Sequence, residues 1–273
     1  MICDLCPHMC DIPEGGVGLC KARAVKGGKV TCINYGRVTG IAIKPITEVP
    51  LRHFHPESGI VTIGSFGCNM NCRFCDTYEI SASGAGVNSS KYTAAQVAEG
   101  VSALRGRGSI GGAFMYNEPL VGYEFIMDCA KLIKEKYGQL VVLKTNGYIN
   151  AEPFEHLLPF IDAMNIDLKG FSGSIYERSR GDIETVKATI SRAMESCHVE
   201  ISTPVIPGYN DTAEETEAMA AWLASLNRET VLHLIPFKPN YKMWGDKPAS
   251  EELMADMQAA AMVHLKNVYI VNT

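Results

Sequence analysis

The sequence predicts an α/β chain: a partial, TIM-like (β/α)6 barrel that carries a small cysteine-rich, metal-binding N-terminal segment. Three observations predict it. From about residue 56 onward, short apolar runs alternate with amphipathic helical stretches. Those runs are apolar nearly throughout, as strands covered on both faces are. The cysteines gather at the start of the chain and in one short loop directly after the first of these strands. With 273 residues and 47% apolar composition there is enough chain for one large core, so we expect a main domain over residues 56–273 and an appendage over residues 1–55.

The expected strands are Ile60–Gly64, Gly112–Tyr116, Leu140–Thr145, Ala163–Leu168, Val199–Val205 and Val231–Pro236, with Val268–Val271 as a further candidate. Six βα units are too few to close an ordinary eight-stranded barrel, so the predicted barrel is open on one side. Between the strands, Thr93 and Gln96 form a capping box for a helix whose Val97, Val101 and Leu104 share one face. Thr212 and Glu215 form a second box for a helix over residues 213–226, and Gly138 ends the helix that carries Phe125, Ile126, Cys129 and Ile133. Residues 1–55 lack helical periodicity and hold only short β-like pieces, such as Lys29–Tyr35 and Gly40–Lys44.

The formal net charge is -5, and Lys and Arg are scattered, which favours neither nucleic acid nor an anionic membrane as a partner. No apolar stretch approaches bilayer-spanning length, and Met1–Cys10 is unlike a secretory signal. A cytoplasmic chain with reduced thiols is therefore expected. Ten cysteines in that setting point to metal or redox chemistry rather than disulfides.

Seven of the ten fall in two groups. Cys129 and Cys197 are expected to be small buried hydrophobes, and Cys32 stands alone. Cys68, Cys72 and Cys75 follow the first strand in the spacing C-x3-C-x2-C. Three thiolates leave one iron of a four-ligand cluster open to an exogenous group; a zinc loop completed by Asp76 or a distant His is the competing reading. Cys3, Cys6, Cys10 and Cys20 supply four thiolates within twenty residues, enough to close around one metal, either zinc or a second iron–sulfur cluster.

In a parallel barrel the working residues sit at the carboxyl ends of strands. There the sequence places Tyr116-Asn117-Glu118-Pro119, Lys144-Thr145-Asn146-Gly147, Asp167-Leu168-Lys169, and Ser202 through Val205 and Ile206. Strand alternation turns Asp167 and Lys169 to one side, where they must pair or hold a ligand to offset desolvation. Pro119 also suits a turn that opens a helix, and His233 suits a satisfied core position.

The C-x3-C-x-Φ-C loop, with Phe74 at its aromatic position, resembles the radical S-adenosylmethionine (SAM) superfamily. The resemblance implies a [4Fe–4S] cluster on Cys68, Cys72 and Cys75, with the Phe74 ring near the SAM adenine. It further implies that Asn117 and Glu118 meet the SAM ammonium, and that Thr145 and Asn146 are among the SAM contacts. Ser202 would meet the ribose or sulfonium, and the backbone of Val205 and Ile206 would line the adenine. Asp167 and Lys169 resemble the Asp-x-Lys segment of glycyl-radical-enzyme activases, which implies contact with the SAM carboxylate and substrate backbone. Those activases have an Asp linked to a monovalent cation before Thr-Asn-Gly, where this chain has Lys144.

With Asn34–Arg37, Pro45–Phe54, Tyr116–Pro119, Val205–Asp211 and Phe237–Met243, the cysteine-rich opening resembles the radical SAM member of the AmmeMemoRadiSam system, a group similar to pyruvate formate-lyase activating enzyme. The implied chemistry is reductive cleavage of SAM to a 5′-deoxyadenosyl radical. It needs an external one-electron reductant of flavodoxin or ferredoxin type, and a substrate that is either a glycine of a partner protein or a small molecule or peptide side chain. An iron–sulfur electron carrier or a zinc-bound interaction protein is the reading from another class.

Overall fold

The computed structural model describes residues 1–271. The chain opens with loops and an antiparallel hairpin, β1 (Arg23–Val25) and β2 (Val30–Cys32). Its turn is made by Gly27 and Gly28, at φ +61° and +67°, a left-handed pair that residues with a Cβ adopt poorly. The Glu14 carboxylate accepts both glycine N–H groups, at 2.6 and 2.9 Å. Next come β3 (Arg37–Val38), β4 (Gly40–Pro45), β5 (Gly59–Gly64) and β6 (Ser90–Lys91), the last pairing back on β3.

The remaining strands are β7 (Ser109–Phe114), β8 (Leu140–Thr145), β9 (Ala163–Asp167), β10 (His198–Val205), β11 (Val231–Pro236) and β12 (Asn267–Ile270). One sheet runs β12-β11-β10-β9-β8-β7-β5-β4, parallel except for β4, which pairs antiparallel with β5. The sheet is open, with β12 and β4 at its edges.

The expected strands are present, with two informative differences. The second ends at Phe114 rather than Tyr116, because Tyr116 sits at φ +79° and turns the chain out of the sheet. The piece near residue 40 belongs to the main sheet as its antiparallel edge, so the barrel sheet begins within the expected N-terminal segment.

The helices are α1 (Tyr78–Ser81), α2 (Ala94–Ala103), α3 (Tyr123–Lys131), α4 (Ala151–Leu157), α5 (Gly173–Arg178), α6 (Ile183–Met194), α7 (Ala213–Leu226) and α8 (Glu251–Met262). The Thr93–Gln96 box caps α2 on both sides. At α7 only half of the expected box forms: Thr212 accepts the Glu215 N–H, while the Glu215 carboxylate takes the N–H groups of Phe171 and Ser172 at 2.7 and 2.8 Å. A loop after β9 thus competes successfully for that carboxylate. Beyond α3 a wider turn, Leu132–Lys136, leads to Gly138 at φ +57°.

The first apolar layer packs Val97 and Val101 of α2 with Phe114, Ile133 and Leu143, all buried. Burying such side chains supplies roughly 1.5–3 kcal/mol each. Glu200 on β10 is fully buried and accepts four hydrogen bonds, from the N–H groups of Arg52 (2.8 Å) and His53 (2.7 Å) and from Nε2 of His198 (2.9 Å) and His233 (2.6 Å). Burial pushes its carboxyl up, and the donors outweigh burial and hold it at about 2. Asn165, beside it on β9, donates to the Pro50 carbonyl at 2.9 Å. His233 is accordingly a satisfied core residue.

Candidate metal centre at the barrel mouth

The loop after β5 is shaped by partners from four directions. Asn117 accepts the Ser65 N–H at 2.9 Å and donates to the Phe66 and Gly67 carbonyls at 3.2 Å each. The Gly67 N–H reaches the Ile80 carbonyl, the Cys68 N–H reaches the Cys20 carbonyl at 3.1 Å, and the Asn71 N–H reaches the Ser179 carbonyl. Gly67 itself lies at φ +91°, and a Cβ there would fall 2.6 Å from the Cys20 oxygen. Backbone amides are obligatory donors, so these bonds set the path of the loop before any ligand binds.

Cys68, Cys72 and Cys75 are half-buried at residue level and line one side of the mouth. The Met70 N–H points at the Cys68 sulfur at 3.4 Å, and Cys75 lies 3.6 Å from the Thr77 hydroxyl, which is anchored on the Tyr116 carbonyl at 2.6 Å. Burial pushes the Cys68 thiol up, and the Glu118, Cys72 and Cys75 charges add to it. Burial also raises Cys72, against the Lys169 ammonium and the Ser179 hydroxyl. The three sulfurs thus sense one another, and a metal is the means by which such buried thiols become thiolates.

Asn146, after β8, donates from Nδ2 toward the Cys68 sulfur at 3.6 Å and to Asn69 Oδ1 at 2.9 Å. Asp167 sits between two ammonium groups, Lys144 Nζ at 2.9 Å and Lys169 Nζ at 2.7 Å. Burial pushes the Asp167 carboxyl up, and the two lysines override it and hold it at about 2. Burial depresses the Lys169 ammonium, while Asp167 and the Cys72 and Cys75 sulfurs outweigh burial and raise it, so it stays charged beside the cysteine loop. The ion pair read from strand alternation is therefore formed, extended to a triad by Lys144, which also donates to Asn165 Oδ1 at 2.9 Å.

Four expected SAM contacts, Glu118, Asn117, Thr145 and Ser202, make hydrogen bonds within the protein. The Glu118 carboxylate accepts Leu120 N–H at 3.0 Å, Thr145 hydroxyl at 2.7 Å and Asn146 N–H at 2.7 Å. It caps the short turn opened by Pro119 and clamps β8 to the loop after β7. Burial is the main cause that raises it to about 7. With three protein donors on a group of about four lone-pair sites, little is left for a ligand ammonium. Asn117 is likewise spent on the cysteine loop, and Thr145 on Glu118 and the Gly147 N–H. Ser202 is buried and donates to Asn165 Oδ1 at 2.9 Å. Val205 and Ile206 are buried at the end of β10, the latter's N–H held by Asn210 Oδ1, and Phe74 packs half-buried on the core edge.

Sequence reasoning passed over Asn69, Asn165 and Ser179. Asn165 had a signal, since it shares a strand face with Asp167. Asn69 and Ser179 had none, because their roles depend on backbone approaches across the fold.

The N-terminal cysteines lie behind this loop. Cys3 and Cys20 are buried, Cys6 and Cys10 half-buried, and all four line one small cavity together with His8 and Arg23. Among the described residues, no three His, Cys, Asp or Glu side chains lie together at ion-binding distance in either group. Cys129 is fully buried against the core, as expected, whereas Cys197 is only half-buried, its thiol drawn to the Ala193 carbonyl at the end of the preceding helix just before β10. None of the described helices is long and apolar enough to cross a membrane.

A model of the radical SAM superfamily matches residues 62–223. An uncharacterized protein of Methanocaldococcus jannaschii is 34% identical over 280 residues, covering 99% of this chain and 80% of the relative. The 4-hydroxyphenylacetate decarboxylase activating enzyme of Clostridium scatologenes is 25% identical over 60% of this chain and 55% of its own length, so the match spans about half of that relative. Among solved structures, a radical SAM methyltransferase from Sphaerobacter thermophilus aligns at TM-score 0.60 and 21% identity, over 80% of this chain and 67% of that one. A domain of pyruvate-formate lyase-activating enzyme from Bacteroides vulgatus aligns at TM-score 0.52 and 22% identity, over 59% of this chain and 99% of that one. Both structures share its fold. By its matched domain, which spans more than half of its length, this chain belongs to the radical SAM superfamily.

Proposed function

We propose that this radical SAM enzyme reductively cleaves SAM and directs the resulting 5′-deoxyadenosyl radical at a glycine Cα–H of a partner protein. The superfamily brings with it a [4Fe–4S] cluster and SAM. The residues present fit such a cluster: three thiols on one loop, amide donors from Met70 and Asn146 toward Cys68, and the Lys169 cation beside Cys72. Cys68, Cys72 and Cys75 would hold it, and three protein ligands leave one iron for SAM. When bound, the cluster supplies the single electron that splits the sulfonium. The observation that carries the reading is that incomplete three-cysteine donor set at the carboxyl end of β5.

The chain's own part is orientation and charge. Lys169 and Lys144 offset the negative charge of Asp167 and of the thiolates, so an anionic ligand can enter without stranding a buried carboxylate. The Asp167–Lys169 pair can open toward a carboxylate and ammonium of SAM, one partner for each. Val205 and Ile206, buried at the end of β10, would give a reactive carbon radical an apolar, water-excluding neighbour. An external flavodoxin- or ferredoxin-like donor supplies the electron. The glycine target is supported by the two activating enzymes among the relatives, that of Clostridium scatologenes and the isethionate sulfite-lyase activating enzyme of Oleidesulfovibrio alaskensis.

The test is anaerobic reconstitution with iron and sulfide, reduction with dithionite, and assay of 5′-deoxyadenosine. The native chain should form it and Cys72→Ala should not, with unchanged circular dichroism; undiminished product in the variant overturns the cluster assignment. A glycyl EPR doublet in a co-purified partner supports the activase reading, and adenosyl-dependent change of a small molecule or peptide side chain without it overturns that part.

A further inference from the structure

We infer that Cys3, Cys6, Cys10 and Cys20 form a closed tetrathiolate zinc site that braces the loop bearing Cys68. The four sulfurs belong to two turns that face each other. In the first, the Cys3 N–H bonds the Cys10 carbonyl at 2.9 Å and the Met9 N–H bonds the Cys6 carbonyl at 3.1 Å, which folds residues 3–10 into a tight loop. In the second, the Lys21 N–H bonds the Gly18 carbonyl at 3.0 Å, with Lys21 at φ +59°. Both turns aim peptide N–H groups at sulfur: that of His8 at Cys6, and those of Ala22 and Arg23 at Cys20. Burial pushes both thiols up, and amides so placed oppose it by favouring the thiolate.

A second, independent feature points into the same cavity. Arg23 is only 8% exposed and lines the cavity with the four cysteines. Its Nη1 is taken by Glu124 at 2.5 Å, yet its Nε is buried with no hydrogen-bond partner. A buried guanidinium N–H without an acceptor costs about 1–3 kcal/mol. A metal-bound thiolate is the acceptor that removes this cost. Arg23 is close enough to Cys20 and Cys3 for their charges to act on one another.

The cavity leaves about 10 Å³ free between the four thiols, the room of one water-sized sphere, so a single ion enters it with the least displacement of the two turns. Four thiolates are the set of closed structural zinc sites. Four thiols lose four protons and gain one Zn2+, with no redox change; the doubly negative product is partly offset by Arg23.

The brace follows from the contacts of the same turns. The Cys20 carbonyl accepts the Cys68 N–H at 3.1 Å, His8 Nε2 lies 2.7 Å from the Asn69 carbonyl, and Asn150, after β8, bonds Leu5 and Asp4 through its N–H and Nδ2. A metal that locks residues 3–20 therefore holds the first cysteine of the SAM-site loop from behind.

The test uses the full chain with Cys68, Cys72 and Cys75 all changed to Ala, so that its outcome is separate from that of the radical reading. Zinc and iron are counted by mass spectrometry after expression with both metals, and the chain is titrated with Co2+. One zinc per chain, and cobalt ligand-field bands with strong thiolate charge transfer, are expected. Single Cys→Ser changes at positions 3, 6, 10 and 20 should each lower zinc at least tenfold or convert the cobalt spectrum to a three-sulfur form. Because a serine variant can misfold, Arg23→Met provides a second arm: it keeps every ligand, and zinc should exchange faster from it. Less than a tenth of an equivalent of zinc, iron with sulfide in its place, or full zinc retention with an unchanged cobalt spectrum in all four serine variants overturns the proposal.

Discussion

The side-chain amide of Asn146 lies 3.6 Å from the sulfur of Cys68, across a separation of 78 residues. An N–H facing a cluster thiolate stabilises the more negative, reduced state. Asn146→Asp keeps the Oδ acceptor for the Tyr148 N–H and removes the donor. Its cluster should load normally, show a more negative midpoint potential by EPR-monitored titration, and form 5′-deoxyadenosine roughly 10- to 100-fold more slowly. An unchanged potential would remove Asn146 from any role at the sulfur.

Gly67 is the tightest point of the loop, at φ +91° with the Cys20 oxygen where its Cβ would be. Gly67→Ala must shift the two segments apart and strain the backbone, at a cost of about 1–3 kcal/mol or more. Lower thermal stability and sub-stoichiometric iron after reconstitution are the expected results. A variant with native melting and full iron would show that the loop has slack.

Glu200 makes stability fall in acid. Its carboxyl is held at about 2, against 4.5 for an ordinary glutamate. A group depressed in the folded state adds stability above its unfolded value and loses it as pH falls toward its folded one. On the order of 3 kcal/mol should therefore disappear between pH 4.5 and 2. Urea unfolding across that window should be steeply pH-dependent in the native chain and flatter in Glu200→Gln, which should also be less stable at neutral pH.

Lys144 fills a cation position between Asn165 Oδ1 and Asp167 Oδ1, at 2.9 Å from each. Lys144→Ala leaves those oxygens facing each other with Lys169 as the remaining ammonium on Asp167. Melting temperature and 5′-deoxyadenosine formation should both drop. Added potassium or ammonium should restore part of each in the variant and do little to the native chain; equal salt responses would show that the ammonium is not acting as a fixed cation.

Glu118→Gln should cost about 1–3 kcal/mol, because an amide NH2 would confront the donors now held by the carboxylate. Chemical denaturation at neutral pH measures it. Loss of stability with iron content preserved would mark Glu118 as a clamp for β8 rather than a cosubstrate ligand.

The chain's periodicity determined the parallel strands, because burial on both faces writes itself into consecutive apolar residues such as Val141, Val142 and Leu143. Cysteine spacing likewise marked both cysteine groups, since side chains on one loop are close in sequence. Helix starts were legible at Thr93, whose partner Gln96 is local, and only half legible at Thr212, whose partner Glu215 was captured by the Phe171–Ser172 backbone. What only the tertiary structure decided is which polar groups meet over long separations: Cys68 on the Cys20 carbonyl, Glu118 turned onto Thr145 and Asn146, and Glu200 gathering Arg52, His53, His198 and His233. The reason is physical. Hydrophobic patterning is set residue by residue along the chain, whereas a buried donor's acceptor exists only after the sheet has assembled and brought distant backbone within reach.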